Sequence, residues 1–435
     1  MKGNEEVLPS ISFPTSKNKC GILKRQITWF DLKFPTIKVI SLGALVFIVI
    51  LLLHYILLQI YSDQIGKLLT GSPSDMSGTA PKAYVRDAST SKQLDCRRVM
   101  QNDVNYMKRM VKTRITYQDP SDLPMDCASI KARNYFPSRP NSKQEASFPL
   151  AQARIVYKDY RFLEMELAAG YAPQNCVDGA GKNMITSYME CLKLLTAASE
   201  LQSKHWKYVS LLQNHDVTIK TNQEAVQILE WMNGANDVEM KKPLKVESTL
   251  SLTASKYKDV FNGVFPRINL LKEALISRQD TQGFSSHDIV LPTLNAAYAL
   301  ALPGGYTHNC LERGEYTQHI TRMSLWYDEN KCGSKHMRHA ICVFGMEDLS
   351  LWLAHLPHLF ANKLLPEFDF GAIDCWYEEM FHRSYLETHN PFTRLNATLY
   401  QSMPQVRYQG FRKSANGLTK SLLNTFDCKT GSTIE

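Results

Sequence analysis

Apolar residues are distributed along this chain in three ways, and each predicts a different element. Val39 to Leu58 is a continuous apolar run broken only by Ser41, His54 and Tyr55. At helical rise it spans about 30 Å, the hydrocarbon thickness of a bilayer, so a transmembrane helix is predicted over 39–60. Beyond Phe148 short apolar runs alternate with amphipathic stretches. These predict a strand over Ala153 to Tyr157 and a helix carrying Phe162, Leu163, Met165 and Leu167 on one face. A second helix from Gly179 to Leu195, a strand over Tyr208 to Leu212 and a helix from Thr221 to Asn233 follow. Strand and helix in alternation predict an α/β fold with a mainly parallel sheet flanked by helices. Between the two regions the pattern is weak: Gly71 to Pro81 and Ser138 to Lys143 are polar and broken by Gly, Ser or Pro. Residues 61–145 therefore read as a stem, with one helical stretch at Cys96 to Lys112.

The strand at 208–212 ends abruptly in Gln213-Asn214-His215-Asp216. An apolar strand that empties into polar groups is where α/β proteins usually place their chemistry, which makes Asp216 the first carboxylate to inspect. The competing reading is that Asp216 only orders its loop or caps the helix from Thr221. Gly179 and Gly181 form a G-x-G pair of the kind that cradles phosphate, but the pairing is common and carries little by itself.

Charge decides orientation more than partner. The chain has 435 residues and a net charge of +8, without a long basic block or an aromatic-interleaved basic stripe, which argues against nucleic acid. Residues 1–38 hold Lys2, Lys17, Lys19, Lys24, Arg25, Lys33 and Lys38 against three acids, an excess that places this tail in the cytosol and the rest across the membrane. Nine cysteines follow the apolar run, and an oxidising compartment would pair most of them. Nine is odd, so at least one stays reduced or forms a disulfide-linked dimer. Asn396-Ala397-Thr398 is the single glycosylation sequon and fits that exposure. Cys332, His336, His339 and Cys342 have the composition of a zinc site, but disulfide chemistry competes for the same sulfurs. Trp326, after the strand-like run Ile320 to Leu325, is read as core, with sugar stacking as the alternative.

Several segments together carry a resemblance. The order RIVYKDYRFLEMELAAGYAPQN, NMITSYMECLKLL, WKYVSLLQNHDVTIKTN, LPGGYTHNC, MRHAICVFGMEDL and HLFANKLLPEFD is similar to the core-2/I-branching family of β-1,6-N-acetylglucosaminyltransferases, especially its nematode-type branch. It spans about residues 148 to 385. The resemblance implies a GT-A-like α/β fold, with a glycosyltransferase domain over 146–390 and a C-terminal extension over 391–435. It implies inverting, metal-independent transfer of N-acetylglucosamine from UDP-GlcNAc to a galactose-type hydroxyl of a glycoprotein glycan. It also implies a Golgi membrane enzyme of type II topology with its catalytic domain lumenal. No metal or other cofactor is expected.

Carried over residue by residue, the family's base, a Glu, falls at Asp288 in SSHDIVLPTL, one methylene short. The cations that neutralise the departing diphosphate fall at Lys363 in HLFANK and at Arg338, with His339 the alternative if the count is strict. Of the two, a guanidinium suits phosphate better. Asp216 then becomes the floor of the donor site. The sequence departs from the family after Asn175, where Cys176-Val177-Asp178 runs almost directly into Gly179 and a strand-helix unit is expected to be missing. Such a loss, or a catalytically inactive relative that binds glycans or partners, is the alternative that the departure raises.

Overall fold

Strand β1 (Leu150–Ile155) is the centre of a parallel three-stranded sheet in the order β2-β1-β3. Its partners are β2 (Cys176–Ala180) and β3 (Tyr208–Leu212), in register from Ala151↔Cys176 and Leu150↔Tyr208. The computed structural model describes residues 83–180, 184–202, 206–240, 295, 302–317, 319–327, 331–414 and 425–429. The apolar run at 39–58 and Asp288 lie outside these residues, as does the segment 241–294. Among the described residues no helix is long and apolar enough to cross a membrane.

The N-terminal part corrects the stem expectation from residue 83 onward. Helices α1 (Ala88–Ser91), α2 (Cys96–Met100), α3 (Val104–Met110) and α4 (Cys127–Arg133) are each capped by an aspartate: Asp87, Asp95, Asp103 and Asp126. Helix α5 (Lys143–Ser147) begins with a capping box between Ser142 and Glu145. The predicted helical stretch Cys96 to Lys112 is two of these helices; the others are too short to leave a readable periodicity, so most of the segment resembles a linker in sequence although it packs into the fold. A disulfide joins Cys96 to Cys375, Tyr84 donates to Asp374 at 3.0 Å, and Tyr117 stacks on Phe370.

Helix α6 (Tyr160–Gly170) connects β1 to β2, and α7 (Met184–Gln202) connects β2 to β3. A strand therefore does follow Asn175, where one was expected to be missing and a helix was predicted to start at Gly179. The run 176–180 is short and contains a glycine, so its strand character comes from pairing with β1 rather than from propensity. Gly179 sits within that ladder, and Gly181 lies outside the described residues.

After β3 the chain turns into β4 (Asp216–Thr218) and helix α8 (Asn222–Trp231). Its N-terminus is closed by a capping box of Thr221 and Glu224. Helix α9 (His308–Glu312), strand β5 (Arg322–Ser324) and the hairpin β6 (Met337–Arg338) with β7 (Ile341–Cys342) follow. Then come α10 (Met346–Leu349), β8 (Phe360–Asn362), α11 (Pro366–Phe381), α12 (Ala397–Gln401) and α13 (Pro404–Ser414). Strands β4, β8 and β5 form a second sheet in which β8 is antiparallel to β4 and parallel to β5. The fold is thus α/β, but its parallel part among the described residues is three strands, with a separate mixed sheet beside it.

Helix α11 is the main internal packing element. Phe370, Ala372, Ile373, Cys375 and Trp376 are fully buried against Phe162, Phe344, Leu349 and Val217. The Trp376 indole donates to the Thr218 carbonyl at 2.8 Å. Below it Glu166 accepts from Arg154 (2.7 Å), Thr218 and Tyr377 (2.6 Å), a buried charge whose lone pairs are taken up on all sides. That network fixes α6 to β4.

Candidate functional site

The order β2-β1-β3 places a topological switch between β1 and β3, and ligands of open α/β sheets bind at the carboxyl ends of the strands there. Two loops meet at that point, Tyr157-Lys158-Asp159 after β1 and Gln213-Asn214-His215 after β3. The Asn214 side chain joins them: its Oδ1 accepts from the Tyr157 amide at 2.8 Å, and its Nδ2 donates to the Lys158 carbonyl at 3.1 Å.

Asp159 has left-handed backbone geometry (φ 58°) and precedes α6 without capping it. Asp119 does that work instead, accepting from the amides of Tyr160 and Arg161. The Asp159 carboxylate is thereby released to meet His215 Nε2 at 2.6 Å and Lys158 Nζ at 3.2 Å. Burial alone would push this carboxyl up, but His215 and Lys158 outweigh it and hold it below the ordinary range.

Asp216 is fully buried, and its bonding explains why it sits there. One oxygen takes Arg322 Nε at 2.8 Å, Arg322 Nη2 at 2.6 Å and the Gln213 amide at 2.7 Å. The other takes the Asn362 amide nitrogen at 2.7 Å. Asp216 therefore ties β4, β5 and β8 together and does not cap α8. Its lone pairs are committed, which suits a fixed support better than proton transfer.

Lys363 follows Asn362 at the end of β8 and is almost buried, yet among the described residues it has no ion pair. Burial and then the nearby Arg338 charge push its ammonium below the ordinary lysine range, with Asp216 partly offsetting them. Arg338 stands on the β6–β7 hairpin, whose turn residues His339 and Ala340 both have positive φ. Arg338 reaches Glu367 at 2.9 Å, while His339 is exposed in the turn. Arg338, Lys363 and Asp216 are thus brought close to one another at the switch point. Two cations, one of them poorly solvated and without an ion pair among the described residues, make this a place for an anion.

Other candidates are placed differently. Cys332 and Cys342 form a disulfide, so their sulfurs are unavailable to a metal, and His336 stacks on Phe368 at 4.3 Å. Trp326, expected in the core, is 44% exposed beside a still more open Tyr327. Lys220 turns inward and donates to the Leu356 carbonyl, so it braces its turn. Asn396 is exposed and caps α12, accepting from the Leu399 amide at 3.3 Å. A third disulfide joins Cys310 to Cys428, and Cys127 and Cys191 lie outside these bridges.

Sequence reasoning missed Lys158, Asp159, Arg322 and Glu367. The Lys-Asp pair directly after the first strand was the available signal, since charged residues at a strand's carboxyl end have a positional meaning that Asp216 had already illustrated.

Residues 168–271 match the core-2/I-branching enzyme family. The chain is 26% identical to a beta-1,3-galactosyl-O-glycosyl-glycoprotein beta-1,6-N-acetylglucosaminyltransferase from Bos taurus, over 70% of this chain and 88% of the relative. It is 25% identical to the enzyme of that name from Homo sapiens, over 68% of this chain and 87% of the relative. A Homo sapiens relative with the same name and the number 3 is 28% identical, over 60% of this chain and 75% of its own length. The first alignment runs over 385 positions although it occupies only 70% of 435 residues, so a sizeable part of the relative has no counterpart here.

Proposed function

We propose that this chain, which carries a core-2/I-branching enzyme domain, is a glycosyltransferase that moves N-acetylglucosamine from UDP-GlcNAc to a galactose-type hydroxyl of a glycoprotein glycan. The reaction is inverting and proceeds without a metal. The observation that carries the reading is the convergence of Arg338 and Lys363 at the carboxyl ends of β1 and β3, above a fixed Asp216. Open α/β sheets bind ligands at such a switch point, and this reading puts the nucleotide diphosphate there. Arg338 and Lys363 neutralise the charge that develops on the leaving UDP, and the surrounding protein strengthens that attraction by excluding water. Asp216 shapes the floor of the donor site through Arg322 and Asn362. Asp288, outside the described residues, is the proposed base for the acceptor hydroxyl. The apolar run at 39–58 anchors the protein once in the Golgi membrane with this domain lumenal, and Asn396 is glycosylated there.

A second reading, a relative that binds glycans without turnover, is favoured by the part of the aligned relative that this chain lacks. The purified full chain, given UDP-GlcNAc and mucin-type acceptors, separates the two. Acceptor-dependent release of UDP that persists in EDTA and is lost in Asp288→Asn supports transfer. Glycan binding with no release supports the second reading.

A further inference from the structure

Glu367 is the second residue of α11, and its Oε1 accepts from Lys158 Nζ at 2.8 Å and from Arg338 Nη1 at 2.9 Å. It joins the loop after β1 to the β6–β7 hairpin, and it occupies a cation that the donor diphosphate would need. Of the other acids nearby, Asp159 is engaged by His215 and Lys158, and Asp216 by Arg322 and Asn362.

The backbone under Glu367 is held firmly. The next residue, Phe368, stacks on His336 and lies under the Arg114 guanidinium, 4.5 Å from its ring centre. Asp369 departs from helical geometry, is fully buried, pairs with Arg114, and accepts from the amides of Ala372 at 2.9 Å and Met346 at 3.1 Å. The turn Pro366–Phe368 is therefore anchored separately from the rest of α11. The carboxylate itself is not: the Glu367 side chain is 45% exposed, and one oxygen serves both of its partners. Exposed pairs of this geometry are weak and exchange readily with water or a better anion. A diphosphate brings more charge and more acceptor oxygens to the same cations, and a guanidinium accommodates it through a fork that Glu367 leaves half used.

We propose that Glu367 is the resident counter-anion of the donor-diphosphate site and that Lys158 is a third cation of that site, beside Arg338 and Lys363. In the empty site Glu367 keeps Lys158 and Arg338 in position. It yields them when the diphosphate enters and reclaims them as UDP leaves, so it trades donor affinity for release of product. No covalent step is involved. The inference rests on the donor-site reading above.

Calorimetric titration of UDP and of uridine into the purified full chain tests it, with wild type beside Glu367→Gln, Glu367→Asp and Lys158→Met. Removing one charge near the diphosphate is expected to tighten UDP roughly tenfold in Glu367→Gln. Glu367→Asp should stay near wild type, Lys158→Met should weaken UDP several-fold, and uridine affinity should not change in any of them. In turnover, Glu367→Gln should lower the donor KM and also lower kcat, because UDP leaves more slowly. Thermal melts identify a variant that has lost its fold, and the remaining variants then decide. Wild type that binds no UDP overturns the donor-site reading and this proposal together. Wild type that binds UDP while Glu367→Gln binds no tighter overturns the counter-anion role alone.

Discussion

Asp216 offers a test in which charge and hydrogen bonding can be separated. In Asp216→Ala the buried carboxylate disappears, leaving Arg322, the Asn362 amide and the Gln213 amide without their acceptor. Removing one partner of a buried pair costs about 3–5 kcal/mol, because the remaining charge stays desolvated. The Arg322 side chain is 22% exposed, so water can repair part of this, and the lower half of that range is expected. Asp216→Asn keeps the shape. Its carbonyl can face Arg322, and its new NH2 can donate to Asn362, whose Oδ1 is buried and has no hydrogen-bond partner among the described residues. With the bonds restored by a flip of Asn362, the remaining loss is the charge interaction with Arg322, about 1.5–3 kcal/mol. Urea denaturation of the purified protein measures both, and the double variant Asp216→Ala with Arg322→Ala should lose clearly less than the two single variants summed. An Asp216→Asn variant as stable as wild type would refute the claim that Asp216 works as a charged tie between sheets.

Arg338→Ala and Lys363→Ala should each lower kcat/KM by roughly a hundredfold or more while leaving the melting temperature nearly unchanged, as measured by UDP release and calorimetry. The Lys220 ammonium is pushed down to about 8 by burial, with the Arg383 and Arg394 charges adding to it against Glu224. A lysine whose folded pKa lies below its unfolded value destabilises the fold when protonated, so this group's penalty is full below pH 8 and is relieved as pH rises towards 10.5. Denaturation midpoints measured from pH 8 to 10 should therefore show a favourable contribution that Lys220→Met removes. Replacing Cys96 and Cys375 by serine opens a loop of 279 residues and should cost about 2–5 kcal/mol, read as a lower melting temperature under oxidising conditions.

The parts of this fold that were legible in the sequence were those whose pattern is local. Strand β3 announces itself through Val209 to Leu212, and the Thr221-x-x-Glu224 spacing is a capping box that can be read by eye. Strand β2 was missed because five residues containing a glycine have little propensity of their own and become a strand only by pairing with β1. Between residues 88 and 133 the helical stretch Cys96 to Lys112 was legible but is two helices, Cys96–Met100 and Val104–Met110, while Ala88–Ser91 and Cys127–Arg133 were missed because each is shorter than two turns. At the site, Asp216 was visible as the polar end of a strand. That its carboxylate is fully committed to Arg322 and Asn362 was not, since those partners arrive from β5 and β8 more than a hundred residues later. Glu367 was invisible on the same grounds, because a glutamate in a first helical turn ordinarily serves only the helix dipole.

Two of the disulfides overlap along the chain, Cys96–Cys375 and Cys310–Cys428. A peptide bond broken anywhere from residue 96 to residue 375 leaves its two ends joined through the first bridge, and one broken from there to residue 428 leaves them joined through the second. Over this whole stretch no single proteolytic nick can divide the molecule. A clipped preparation will run as one species until it is reduced, and its pieces remain beside each other with the Arg338, Lys363 and Glu367 cluster still assembled. Intactness on a non-reducing gel therefore says nothing about the continuity of the backbone, and activity that survives limited digestion is an expected property of this covalent connectivity.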